Sequence, residues 1–138
     1  MVDPDRIHER LGRLDRMLAL LEAAREGGES TYLTDLDLRL KTERALQLAL
    51  QICIDTGAHL IAELGLQPAE DYRGVFESLG VARVIDRDLA RRLGRSAGLR
   101  NLLVHGYADV EDRLIWEALG HLDDLRAFAR AAIAAAER

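Results

Sequence analysis

Apolar residues recur along this chain at alternating spacings of four and three, and this periodicity constrains its fold more than any other feature. The first run follows Asp3 and Pro4, which suit the N-cap and the first turn of a helix. Its members are Ile7, Leu11, Leu14, Leu18 and Leu21. That spacing places side chains on one face of an α-helix, whereas a half-buried strand alternates every second residue. We therefore expect an all-α protein.

Glycine and proline residues divide the periodic pattern into about five predicted helices. These run from Pro4 to the Gly27–Gly28 pair, from Thr34 or Asp35 to Leu64, from near Tyr72 to Gly80, over about 82–105 and over about 112–136. The core stripe of the second is expected to comprise Leu46, Ala49, Leu50, Cys53, Gly57, Leu60, Ile61 and Leu64. Short connections between such helices favour an up-and-down helical bundle, here a single domain over residues 1–138.

Chain length and cysteine content limit the class of protein further. A chain of 138 residues buries roughly two-thirds of its unfolded surface, so it needs neither a disulfide nor a structural metal. Its one cysteine, Cys53, cannot form an internal disulfide. The N-terminus lacks the apolar core of a signal peptide, and no stretch of about 20 apolar residues occurs. The expected location is cytoplasmic, with no membrane association.

The charge of the chain is unevenly distributed. The formal net charge is -5, which argues against a general coat for nucleic acid. Residues 83–100, however, contain six arginines and only two aspartates, a local balance of +4 that leaves -9 for the remainder. A solvated, salt-bridged helix face would explain such a run. A phosphate-binding surface is the alternative, because the run leads directly into the polar cluster described next, and Arg92 and Arg95 are its candidate contacts with nucleic acid.

Arg100, Asn101, His105 and Tyr107 bring a guanidinium, an amide, an imidazole and a phenol together on an aliphatic segment. An imidazole has a pKa of about 6.5 in water, so His105 suits proton transfer at neutral pH. A guanidinium can stabilise negative charge that develops on a phosphate, and this is the role expected of Arg100. Asn101 would orient His105 or hold a phosphate. Ordinary buried polar contacts are the alternative interpretation of the cluster.

Helix geometry separates these residues. At about 100° per residue, Arg100 falls in the same sector as Leu89, Leu93 and Val104, so a charged side chain points where an apolar one is expected. It must find an acidic partner or open onto a cleft or an interface. Arg100 and His105 lie about 140° apart around the helix. A site formed between two copies of the chain is therefore expected, and with it a homodimer.

The run R-x4-H-x-Y near the end of a small helical protein resembles the signature of the HEPN ribonucleases, and specifically of HepT-type toxins. Further similarity lies in Glu43-Arg44-x-x-Gln47, in Tyr72 and Phe76, and in the Trp116-containing last helix. The resemblance implies a cytoplasmic, HEPN-like homodimer that cleaves RNA without a metal. It also implies an MntA-type nucleotidyltransferase antitoxin that silences the toxin by transferring AMP to the motif tyrosine. Arg100, His105 and Tyr107 hold the corresponding positions.

Two other functions remain open at this point: a catalytically silent HEPN partner of a nucleotidyltransferase, and a plain helical dimerisation protein. Asp55, His59 and Glu63 share one helix face, but a salt-bridged stripe explains them better than a metal site. Cys53 is expected to serve packing rather than catalysis, and His8 and His121 are expected to be exposed. No glycine-rich phosphate loop occurs. Neither a metal nor another cofactor is therefore expected.

Overall fold

The fold is given by a computed structural model that describes residues 3–105 and 111–138. In chain order its helices are α1 (Pro4–Glu26), α2 (Glu29–Thr34), α3 (Leu36–Leu64), α4 (Tyr72–Val81), α5 (Arg87–His105), α6 (Asp112–Ala118) and α7 (Leu122–Ala136), with a 3-10 turn at Leu119–His121 between the last two. No strand occurs in these two ranges. The predicted all-α class is confirmed.

Aspartate side chains cap the N-termini of four of these helices. Asp3 accepts a hydrogen bond from the Asp5 amide at 3.1 Å, and Asp35 accepts one from the Leu38 amide at 3.0 Å. Asp71 and Asp86 do the same at the starts of α4 and α5. Each such bond satisfies an amide that has no partner within the helix, and its loss typically costs about 1 kcal/mol. These caps fix the first residues of α3 and α5.

Helix α3 is the centre of the bundle and packs against α1, α4, α5 and α7. Its predicted stripe is buried as expected except at its end, where Leu64 is 41% exposed. Edge-to-face packing of Phe76 and Phe128, with ring centroids 5.7 Å apart, joins α4 to α7 beside it. Among the described helices, α3 alone is long and apolar enough to cross a membrane, but 56% of the relevant window is buried inside the fold. It is the core helix of the bundle.

The prediction of the fourth helix was wrong at its start, because α5 begins at Arg87 rather than near residue 82. Between α4 and α5 the chain reverses through Arg83, which has a left-handed backbone (φ 61°). The Val84 amide donates to the Leu79 carbonyl at 2.9 Å and closes the turn. A non-glycine residue in this conformation costs about 1 kcal/mol or more. Because glycine is the residue that usually marks such a turn, an arginine at this position did not predict one.

Gly80 does not end α4 but lies buried inside it, one residue before its end. A Cβ at Gly80 would stand 2.7 Å from the Cβ of Ala90. The glycine therefore allows α4 and α5 to approach closely, which is a packing role rather than a helix-breaking one.

Two further differences concern short elements. The six-residue helix α2 buries Tyr32 and was not predicted, because so short a segment cannot show helical periodicity. The predicted last helix is divided by the 3-10 turn at Leu119–His121 into α6 and α7. Leu114, an apolar residue of α6, is 40% exposed. The bundle architecture is unaffected, because α7 still packs against α1, α3 and α5.

Candidate active site

Arg100, the predicted charge-stabilising residue, is half-buried on α5 and is held by uncharged groups of α3 and α4. Its Nε donates a hydrogen bond to Oε1 of Gln51 on α3 at 2.5 Å. Its guanidinium carbon lies 4.9 Å from the ring centroid of Tyr72, the first residue of α4. The sequence required a partner or an opening for this arginine. The structure supplies an amide acceptor and an aromatic face, both attractive to a cation without neutralising it.

Gln51 is itself oriented by Asp55, one turn further along α3. The Gln51 Nε2 donates to Oδ1 of Asp55 at 2.8 Å. A carboxylate only accepts hydrogen bonds, so this contact fixes which end of the amide faces Asp55 and directs Oε1 toward Arg100. Asp55, Gln51 and Arg100 thus form a connected series in which each group sets the orientation of the next. The sequence pattern indicated neither Gln51 nor the role of Tyr72.

Asn101 and His105 lie on the exposed side of α5. The Oδ1 of Asn101 accepts a hydrogen bond from NH1 of Arg100 at 3.2 Å, which links the two neighbouring motif residues. His105 is the last residue of α5 and is exposed, and its imidazole makes no hydrogen bond or ion pair with any residue that the structure describes. Within one chain, no contact joins Arg100 to His105. The arginine faces α3 and α4, and the histidine faces outward. This agrees with the separation of about 140° around the helix that the sequence predicted.

Arg92 and Arg95 occupy different surroundings on α5. Nε of Arg92 lies 3.0 Å from Oδ1 of Asp124 on α7, and that carboxylate side chain is only 17% exposed. Arg95 is exposed and forms no salt bridge in the described part of the chain. Of the two predicted contacts with nucleic acid, Arg95 therefore carries the more available charge. Tyr107, the predicted site of modification, lies outside the described residues, as does Gly106.

A second polar cluster connects α2, α3 and α6. Arg39 Nε lies 3.4 Å from Oδ2 of Asp112, the first residue of α6. The fully buried Tyr32 ring packs against the Trp116 ring, with centroids 5.6 Å apart and planes tilted by 34°, and burial raises the pKa of the Tyr32 phenol. Desolvation, with a smaller contribution from Asp112, also raises the pKa of Glu43. These contacts hold the start of α6 against the core, close in sequence to the motif.

The other sequence candidates have structural surroundings of their own. Cys53 is 1% exposed and its burial raises the pKa of the thiol to about 12, which is consistent with packing. His8 and His121 are exposed as predicted, and His8 lies 3.5 Å from Glu137. Across residues 3–105 and 111–138 no three side chains of the metal-ligating types cluster together. The Asp55 carboxylate instead accepts the hydrogen bond that orients Gln51.

The all-helical bundle thus carries a restrained arginine and an exposed histidine on one helix, α5. The family model described as "Ribonuclease HepT-like" matches residues 7–132. The chain belongs to this family, which confirms the resemblance and the predicted class, an endoribonuclease.

Individual relatives agree with this assignment. A tRNA nuclease HepT from Aphanizomenon flos-aquae is 31% identical over 118 residues, covering 86% of this chain and 80% of the relative. An mRNA nuclease HepT from Shewanella oneidensis is 28% identical over 103 residues, covering 74% of this chain and 77% of the relative. The fold matches the tri-AMPylated Shewanella oneidensis HEPN toxin, solved in complex with its MNT antitoxin, with a TM-score of 0.84. That match has 24% identity and covers 95% of this chain and 97% of the toxin.

Proposed function

We propose that this protein is the toxin ribonuclease of a toxin–antitoxin pair and cleaves RNA with Arg100 and His105 in a cleft between two copies of the chain. The observation that carries the proposal is the restraint of Arg100. Its guanidinium is fixed by the neutral Gln51 amide and the Tyr72 ring, so it keeps a full positive charge beside the exposed end of α5. A fixed cation of this kind stabilises charge that develops on a phosphate without costly reorganisation.

The proposed reaction uses the nucleophile that RNA itself provides. The ribose 2′-hydroxyl attacks the adjacent phosphorus while its proton passes to a neutral His105 imidazole. The bond from phosphorus to the 5′ oxygen breaks as a protonated His105 imidazole gives that oxygen its proton. Arg100 stabilises the non-bridging oxygens of the transition state. The expected products are a 2′,3′-cyclic phosphate and a free 5′-hydroxyl.

A dimer supplies both proton-transfer roles. In one chain Arg100 and His105 face different directions, so a complete site requires a second α5. A two-fold axis near the C-terminal end of α5 would bring two imidazoles and two guanidiniums to one cleft. One His105 would then act as base and the other as acid. Asn101 would hold a phosphate or orient His105, while Arg95, and Arg92 to a lesser extent, would contact the flanking RNA.

Regulation in this proposal acts on Tyr107. A partner nucleotidyltransferase of the MntA type would transfer AMP from ATP to the phenol oxygen, with release of pyrophosphate. The added phosphodiester charge and bulk close to His105 would oppose entry of RNA phosphates. We further propose that residues 1–138 act as one HEPN-like domain in the cytoplasm and that cleavage requires no cofactor.

Growth and cleavage assays of matched variants test the proposal. Expression of the wild-type chain alone should arrest growth, and the purified protein should cut RNA with a chelator present. His105→Ala and Arg100→Ala should each lower the cleavage rate by about 10²- to 10⁴-fold while circular dichroism stays helical. His121→Ala, which removes another exposed histidine, is the control. Wild-type cleavage by His105→Ala would refute the mechanism, and a silent binding protein would show no cleavage in any variant.

The oligomeric state and the modification have separate tests. Light scattering at micromolar concentration should show a dimer, and a fully active monomer would contradict the shared cleft. Incubation with the partner nucleotidyltransferase and ATP should add AMP to Tyr107 and suppress cleavage. Peptide mass spectrometry that places the adduct on Tyr32 or Tyr72 would overturn the assignment of the modified residue.

A further inference from the structure

A basic groove runs along the outside of the bundle between α4 and α5. It encloses about 490 Å³ and is lined by four arginines, Arg73, Arg87, Arg91 and Arg95, and one carboxylate, Glu77. Arg91 is paired with Asp88 on its own helix. The other three arginines are exposed and make no salt bridge or hydrogen bond with any residue in the described ranges. Three unpaired guanidiniums in one groove are unexpected in a chain of net charge -5.

Two glycines lie in the groove where the two helices meet closely. Gly80 and Gly94 both line it. The aliphatic part of Arg73 lies over Gly94, where an added Cβ would stand 3.2 Å from the Arg73 Cγ. Arg73 therefore crosses from α4 toward α5 instead of extending freely into solvent. Its position in the groove is restrained by packing, which lowers the entropic cost of binding an anion.

The groove lies on the face of α5 that carries His105, because the step of 18 residues from Arg87 to His105 makes about five helical turns. Helices α4 and α5 run in opposite directions, with Gly80 beside Ala90 at one end and Tyr72 beside Arg100 at the other. Arg100 is not among the groove residues, and the motif residue on the groove side of α5 is His105. From Arg87 to His105 the path along this face is about 27 Å long at 1.5 Å per residue. Arginines one turn apart on α5 are spaced by about 6 Å along the helix, a spacing that suits successive charges on an extended chain.

We infer that this groove, which we call the α4–α5 groove, binds the phosphodiester backbone of single-stranded RNA on one side of the cleavage position. The inference rests on the proposed function and extends it, because it assigns Arg73 and Arg87 to substrate binding at a distance from the reacting phosphate. Charge complementarity selects an anionic occupant, and the position of the groove on the face of α5 that carries His105 selects RNA over an unrelated acidic protein. Longer RNAs should therefore be better substrates than short ones.

The test compares two doubly substituted variants with the same change in charge. Arg73→Gln/Arg87→Gln removes two groove arginines, and Arg13→Gln/Arg16→Gln removes two exposed arginines of α1 that have no ion-pair partner among the described residues. Binding is measured in a His105→Ala background by fluorescence anisotropy with a labelled RNA of about 15 nucleotides. The groove variant should bind about tenfold more weakly. The slope of log K against log salt should fall by about 0.7 for each RNA phosphate that the variant no longer neutralises. The control should change neither quantity appreciably.

Cleavage by the corresponding active variants separates the inference from the proposed function. The groove variant should lower kcat/KM for the longer RNA much more than for a trinucleotide, which is too short to reach Arg87. Equal behaviour of groove and control variants, with RNA still cleaved, would overturn the inference alone. No cleavage by the wild-type chain would remove the proposed function and the inference with it. Loss of the dimer in light scattering, specific to the groove variant, would show a subunit interface and would also overturn the assignment.

Discussion

Replacement of Gln51 by methionine is the sharpest test of how the active site is held together. Methionine keeps the length and much of the volume of glutamine but removes the Oε1 that accepts the Arg100 Nε hydrogen bond at 2.5 Å. It also removes the hydrogen bond with Asp55. The Arg100 guanidinium would remain on the Tyr72 ring without the group that fixes its rotation. We expect a lower cleavage rate with the fold intact.

The size of the effect follows from the type of hydrogen bond that is removed. A hydrogen bond to a charged group contributes about 1.5–3 kcal/mol, and about 1.4 kcal/mol corresponds to a tenfold change in rate. If the bond acts mainly by holding Arg100 in its productive orientation, kcat/KM should fall by about ten- to hundred-fold. The fall should be greater in kcat than in KM, because the fixed guanidinium acts on charge that develops only in the transition state.

Two further variants make this test specific. Gln47→Met changes a half-buried glutamine one turn earlier on α3, which forms no hydrogen bond with the described residues, and should leave kcat/KM unchanged. Gln51→Glu offers Arg100 a carboxylate in place of an amide, so it should hold the side chain while neutralising its charge, and activity should again fall. A purely structural role predicts activity close to wild type for Gln51→Glu. Wild-type kcat/KM in Gln51→Met, measured on protein with an unchanged helical signal, would refute the reasoning.

Other consequences of the structure are testable by unfolding and labelling. Gly80→Ala should destabilise the fold by about 1–2 kcal/mol in thermal unfolding, since the new Cβ meets the immobile Ala90 Cβ at 2.7 Å. Gly12→Ala, with open space around it, should instead be stabilising by up to about 1 kcal/mol, and equal effects would contradict the packing argument. Burial raises the pKa of Glu43, so the folded chain holds that proton more tightly than the unfolded chain and loses stability as pH rises through the raised pKa. Glu43→Gln should therefore unfold at a higher temperature than wild type near neutral pH but not in acid. A lower unfolding temperature for Glu43→Gln at neutral pH would contradict this reasoning. Cys53, with a thiol pKa of about 12, should react with thiol reagents only after unfolding.

The parts of the fold that the sequence predicted are those governed by local rules. The stripe of α1, from Ile7 to Leu21, is fully buried as its spacing required. The start of α3 follows from Asp35, whose side chain caps the helix as the residue type suggests. The turn at Arg83 and the packing role of Gly80 could not be predicted in this way. Both depend on how closely α4 and α5 approach, which is a property of the assembled bundle.

In the candidate site, too, local helix geometry predicted some features and packing between helices determined the others. Helical angles placed Arg100 in an apolar sector and separated it from His105, and the structure shows both features. Its partner Gln51 lies 49 residues away in sequence and is one of several polar residues beside the α3 stripe. Which of them faces Arg100 depends on the register of α3 against α5. No periodicity within either helix encodes that register, so the sequence indicated that a partner must exist but not which residue it is.

Comparison of Arg92 with Arg100 shows why a neutral partner matters for function. Both arginines lie on α5 and both are partly buried, but Arg92 is bonded to the carboxylate of Asp124 and Arg100 to the amide of Gln51. A carboxylate partner would offset the guanidinium charge before any substrate arrived, and an RNA phosphate would have to compete with it for the same donors. An amide satisfies Nε alone and leaves the positive charge uncompensated. The acidic residue of this series, Asp55, contacts the far end of Gln51 rather than the guanidinium, so it orients the amide while the arginine charge remains available to a phosphate.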